Sequence, residues 1–169
     1  MRNISKLIAL ALLLASVFGA PPAAIAYVSP ATGTNAPGRV LQGFRVGEHD
    51  WLPGHRGVDL ALAPGSPILA TEDGVVAFAG MVAGTPVLSI DHPDGLRSTY
   101  QPIQAVVAKG DSVKSGEVIG TLVATDGTHP GLHWGIKTGP KSYINPLSLL
   151  DIPVIRLKPI HAEATPARP

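Results

Sequence analysis

Short apolar runs punctuated by turn residues organise the middle of this 169-residue chain. Pro67-Ile68-Leu69-Ala70 leads into Glu72-Asp73-Gly74, and Val75-Val76-Ala77-Phe78-Ala79 follows. Val87-Leu88-Ser89-Ile90 reaches His92-Pro93-Asp94-Gly95, and Leu96-Arg97-Ser98-Thr99-Tyr100 returns. Proline at the first central position of a turn and glycine beyond it favour a hairpin at 92–95. Val106-Val107, Val113, the run from Val118 to Val123, and Leu132-His133-Trp134-Gly135-Ile136 predict further strands. The spacing of about 8–12 residues between turn signals is that of an all-β fold. Nothing before Leu147 carries a helical period, so the expected fold class is all-β.

The two ends read differently. Arg2 and Lys6 precede an apolar run from Leu7 to Phe18, then Pro21-Pro22 and Ala24-Ile25-Ala26. A basic start, a short apolar stretch and an Ala-x-Ala end predict a secretory signal over 1–26, cut after Ala26. About a dozen apolar residues fall short of the roughly 20 that span a bilayer as a helix, which sets cleavage ahead of an uncleaved anchor. Residues 27–37 show no periodicity and read as a linker, 38–150 as the domain, and the Pro-rich stretch 151–169 as a tail.

Composition narrows the chemistry. The formal charge is +1, and the leader holds two of the 13 basic residues and no acidic one, so the remaining 143 residues carry −1. That balance argues against a nucleic-acid binder. The absence of cysteine excludes disulfides, thiolate metal sites and a cysteine nucleophile.

His55-Arg56-Gly57-Val58-Asp59 places an imidazole and a carboxylate four residues apart, on one face of either a helix or a strand. Nitrogen and oxygen donors together suit Zn²⁺, which binds them at about 2.0–2.2 Å. Two surface residues sharing no ligand fit the same spacing. His133 alternates with Leu132, Trp134 and Ile136, so it would face a groove beside Gly135, where the missing side chain leaves room for a metal or substrate. A half-buried histidine held by a backbone carbonyl fits there too.

Several segments in order carry a more specific likeness. His55 to Ala61, Ala63-Pro64-Gly65-Ser66-Pro67-Ile68, Asp73-Gly74-Val75-Val76, Ile90-Asp91-His92 through Tyr100, Gly110-Asp111-Ser112-Val113 with Gly116, Ile119 and Gly120, and Leu132 to Ile136 resemble the core of the lysostaphin/LytM-type zinc metalloendopeptidases. Tyr100-Gln101-Pro102 and Leu132-His133-Trp134-Gly135 resemble an actinobacterial version of that core. The resemblance implies a two-sheet β-sandwich or barrel-like domain with a groove. It also implies secretion to the cell wall and cleavage of peptidoglycan peptide stems or cross-links. Carried over, the zinc ligands would be His55, Asp59 and His133, with a fourth position open for water.

The chain departs from that family at two places. Gly131 stands where the family has the first histidine of His-x-His, and Pro102 stands where it has a histidine two residues after the tyrosine. Those histidines serve proton transfer and oxyanion stabilisation, worth about 10²–10⁴ and 10²–10³ in rate. His129, four residues before His133, is the candidate substitute catalytic base; a solvent-exposed loop histidine fits that position too. His49 is a lesser alternative, His92 reads as structural, and His161 lies in the tail. The competing expectation is a non-catalytic module of the same fold that binds peptide stems or activates a partner cell-wall hydrolase. A lipoyl-type carrier, suggested by residues 108–120, lacks the lysine it needs in Leu122-Val123-Ala124-Thr125-Asp126-Gly127.

Overall fold

The computed structural model describes residues 27–46, 54–124 and 130–150. The expected signal segment, His49, His129 and the C-terminal tail with His161 lie outside these residues.

Eleven short strands follow one another: β1 (Val40–Gln42), β2 (Val58–Leu60), β3 (Pro67–Leu69), β4 (Gly74–Val82), β5 (Thr85–Asp91), β6 (Arg97–Gln101), β7 (Ile103–Ala105), β8 (Ser112–Val113), β9 (Val118–Leu122), β10 (Leu132–Lys137) and β11 (Tyr143–Ile144). A single 3₁₀ turn, Pro146–Leu149, closes the described chain, capped by the Asn145 side chain accepting from the Leu147 N–H. Among the described residues there is no α-helix, and none is long and apolar enough to cross a membrane.

The strands form two antiparallel sheets. The larger runs β1-β2-β10-β6-β5-β4-β8, with β11 on the free part of β10; the smaller is β3-β9-β7. Alternation sorts their side chains. On β6, Ser98 and Tyr100 are buried while Arg97, Thr99 and Gln101 are half-exposed. Core residues Leu60, Ile68, Leu88, Ile90, Tyr100, Ile119, Leu132, Trp134 and Ile136 are fully buried. The Tyr100 hydroxyl accepts from the Thr71 N–H at 3.0 Å, tying β6 to the loop after β3. Burial pushes that hydroxyl's pKa up, so it stays neutral.

The 92–95 hairpin forms as its residues require. Gly95 takes φ +85°, its N–H donates to the His92 carbonyl at 3.1 Å, and the Asp94 carboxylate accepts from the Leu96 N–H.

Two expectations are corrected. Val106-Val107 is not a strand: β7 is Ile103–Ala105, and although the Val106 N–H still donates to the Ile119 carbonyl at 3.0 Å, Val106 is exposed. Residues 27–37 are not a free linker. Tyr27 is 4% exposed and belongs to the core, its hydroxyl donates to Asp94 at 2.9 Å, and the Val28 N–H donates to the Thr71 carbonyl. The segment shows no periodicity because local side-chain bonds hold it: Ser29 Oγ to the Pro37 carbonyl and Thr32 Oγ1 to the Ala36 carbonyl.

Candidate metal centre

Two neighbouring strands and the loop before them build one cluster. On β2, Val58 and Leu60 point into the core, so Asp59 between them takes the opposite face, yet it is fully buried. β10 pairs antiparallel with β2, and His133 stands directly opposite Asp59. His55 precedes β2 in an isolated bridge to Arg45, bonded through both backbone groups.

The three donor atoms nearly touch. His55 Nε2 lies 2.9 Å from Asp59 Oδ1 and 3.1 Å from His133 Nδ1, and His133 Nδ1 lies 2.8 Å from the same Oδ1. His55 Nδ1 is 2.9 Å from the Gly43 carbonyl, which can only accept, so Nδ1 carries a proton. In the neutral ring Nε2 then presents its lone pair to a carboxylate oxygen. Two lone-pair-rich atoms at 2.9 Å repel unless a cation lies between or beside them. A tetrahedral ion with bonds of about 2.0–2.1 Å holds its ligand atoms roughly 3.3 Å apart, close to the observed triangle. The residues therefore fit a small divalent cation with nitrogen and oxygen ligands, and the Gly43 carbonyl, accepting from His55 Nδ1, fixes the His55 tautomer.

Glycines shape the surroundings. A Cβ on residue 57 would stand 2.5 Å from the Trp134 carbonyl and 2.7 Å from two atoms of the His133 ring. The expected room beside Gly135 is not open space: a Cβ there would meet Thr99 Oγ1 at 2.8 Å and the Arg56 carbonyl at 3.2 Å. Gly135 allows close strand packing instead. At Gly131 a Cβ would sit 2.2 Å from the Leu60 carbonyl oxygen, so this backbone admits no side chain there.

Gln101 is the polar residue that sequence reading passed over. It pairs directly with His133 across β6 and β10, and alternation from buried Tyr100 puts it on the cluster's face. That alternation was visible in Ser98-Thr99-Tyr100-Gln101, but only the β6–β10 register brings Gln101 beside His133. Pro102, which follows a cis peptide bond, is buried and supplies no donor there. His92 is structural, as expected: its ring nitrogens meet the Asp73 carbonyl and Ser98 Oγ, each at 2.8 Å, and Tyr27 packs edge-on at 5.5 Å.

A protein of Mycobacterium tuberculosis described as uncharacterized is 46% identical over 136 residues, covering 75% of this chain and 53% of its own. The murein hydrolase activator NlpD of Salmonella typhimurium is 32% identical over 131 residues, 70% of this chain and 33% of its own. The chain thus spans about half, or less, of the length of these curated relatives. Among solved structures, the catalytic domain of the antimicrobial peptidase lysostaphin from Staphylococcus simulans superposes with a TM-score of 0.59 at 24% identity, over 68% of this chain and 92% of that one. At that identity the match speaks for the fold. The model of Peptidase family M23 matches residues 53–146, more than half the chain and all three clustered residues, and the chain belongs to that family.

Proposed function

We propose that this chain is an exported zinc metallopeptidase acting on peptide stems or cross-links of cell-wall peptidoglycan. The observation that carries the reading is the convergence of His55 Nε2, Asp59 Oδ1 and His133 Nδ1 within 3.1 Å of one another on a half-buried sheet face. Membership in a peptidase family and a relative named for murein hydrolase activation support the substrate class.

His55, Asp59 and His133 would hold the zinc; when bound, it supplies an activated water and polarises the scissile carbonyl. The chain's own groups do the rest. Asp59, buried without exposure, offsets part of the cation's charge in a place water cannot. The Gly43 carbonyl keeps His55 in the ligating tautomer. Gln101, facing His133, offers a carboxamide N–H to the charge that develops on the carbonyl oxygen. His129, four residues before His133 in the sequence, would serve as the proton acceptor.

A second reading is a peptide-binding or hydrolase-activating module. It is favoured by Pro102 and by the Gly131 backbone, neither of which leaves a side chain able to transfer a proton. One experiment separates the two. The purified chain is assayed for bound zinc and incubated with isolated peptidoglycan, with released peptides read by mass spectrometry. Stoichiometric zinc with peptides released, both lost in His133→Ala, is the expected result. Zinc without release selects the binding module, and no zinc refutes the metal site in both.

A further inference from the structure

The sheet face that carries the cluster continues along β10 and β6 to a second group of charged residues. His133, Gly135 and Lys137 share that face by alternation, opposite Gln101, Thr99 and Arg97 in turn. Lys137 is four residues from His133, about 13 Å along the strand. Next to it is a cleft of about 400 Å³ lined by Asp91, Gly95, Arg97, Lys137, Thr138 and Pro140 among others.

The charges in this cleft do not cancel. Arg97 holds both carboxylate oxygens of Asp91, one through Nε and the other through Nη2 at 2.8 Å, so that pair is spent on itself. Among the described residues no carboxylate pairs with Lys137. Its ammonium lies 5.7 Å from the Tyr143 ring centroid, and the Arg56 guanidinium stands 5.8 Å from the same ring. A cation over an aromatic face keeps its full charge and its capacity to bind an anion. Lys137 is itself half-buried, so a charged hydrogen bond to it is screened less than on open surface.

We propose that this cleft is a carboxylate-binding subsite centred on Lys137, which takes the free C-terminal carboxylate of a cell-wall peptide. The proposal rests on the peptidase reading and narrows its substrate class. Peptide chains end in carboxylates, which match an ammonium, and Thr138 lines the same cleft. A phosphate group is the competing anion.

The test is equilibrium binding, which does not depend on turnover. A fluorescein-labelled cell-wall tetrapeptide is titrated into the full chain at low ionic strength, once with its C-terminal carboxylate free and once as the amide, with fluorescence anisotropy as the readout. The acid binds about 3- to 5-fold more tightly than the amide, the range of a partly exposed ion pair. The preference vanishes in Lys137→Met, whose chain still covers Tyr143, and shrinks in high salt. Equal binding of acid and amide, or no binding of either, overturns the subsite. A preference that survives in Lys137→Met moves it away from Lys137. Inorganic phosphate that displaces the acid at lower concentrations than acetate does overturns the carboxylate assignment. Retained preference for the acid without any cleavage overturns the peptidase reading and leaves the subsite standing.

Discussion

His133 and Asp59 are direct cross-strand partners, and the 2.8 Å between Nδ1 and Oδ1 is a consequence of the β2–β10 register. A slip of one residue would turn His133 into the core and Trp134 out onto the groove. Burial of Val58, Leu60, Leu132, Trp134 and Ile136 holds that register, so the core specifies the site.

Zinc binding should stabilise the fold. At 100-fold excess of zinc over its Kd, linkage adds about 2.7 kcal/mol to unfolding. Thermal denaturation of chelated protein is expected to shift upward on adding zinc, and His133→Ala to abolish the shift. An unchanged midpoint for the wild type would count against the site.

Restoring the family histidine at position 131 should fail. The Cβ of Gly131→His would meet the Leu60 carbonyl at 2.2 Å, and backbone cannot swing aside like a side chain. The expected cost is several kcal/mol, or loss of soluble protein, read by chemical denaturation. Gly57→Ala should also destabilise and, by pushing on the His133 ring, weaken metal affinity as well.

Removing the Gln101 carboxamide should slow the reaction without emptying the site. Gln101→Ala is expected to keep full zinc content while kcat falls by about 10²-fold, the range for one oxyanion donor. His129→Ala should lower kcat by about 10²- to 10⁴-fold and flatten the pH–rate profile on its acid side. Unaltered kcat in either variant removes that residue from the mechanism.

Acid should loosen the β5–β6 ladder. Hydrogen bonding from Arg97 holds the Asp91 carboxyl below its ordinary value. A group whose folded pKa is depressed contributes fully above its unfolded value of about 4, and loses that contribution as pH falls through the folded value. Both side chains are about half exposed, so screening keeps the effect below about 1 kcal/mol. Urea midpoints measured between pH 6 and 2 should fall less steeply in Asp91→Asn.

The segment ahead of β1 should contribute to stability through Tyr27. Tyr27→Phe removes the bond to Asp94 and should cost about 1 kcal/mol, and Tyr27→Ala about 3 kcal/mol. An unchanged denaturation midpoint in Tyr27→Ala would return residues 27–37 to the status of a linker.

Much of this was legible along the chain because it depends on neighbours. The hairpin signal marked Leu96-Arg97-Ser98-Thr99-Tyr100 as the returning strand β6, and period-two alternation in Leu132-His133-Trp134 marked β10, because both depend on consecutive residues. Pro93 and Gly95 marked the hairpin because turn geometry is a property of four consecutive residues. The nitrogen and oxygen character of the candidate site followed from the residue types and the lack of cysteine. Val106-Val107 misled because the strand lies just ahead of it, in Ile103-Gln104-Ala105, where Gln104 interrupts the apolar run.

Tertiary structure alone decided the relations between distant residues. Tyr27 is core because it lies on His92 and Asp94, some 65 positions away, and its own segment carries no period to announce that. The space beside Gly135 is filled because Thr99 of β6 reaches it. Gln101 joins the metal face, and Lys137 the cleft beyond it, through inter-strand register. Spacing along a chain determines which face of a strand a side chain takes; the hydrogen-bonded register between strands determines what it meets there.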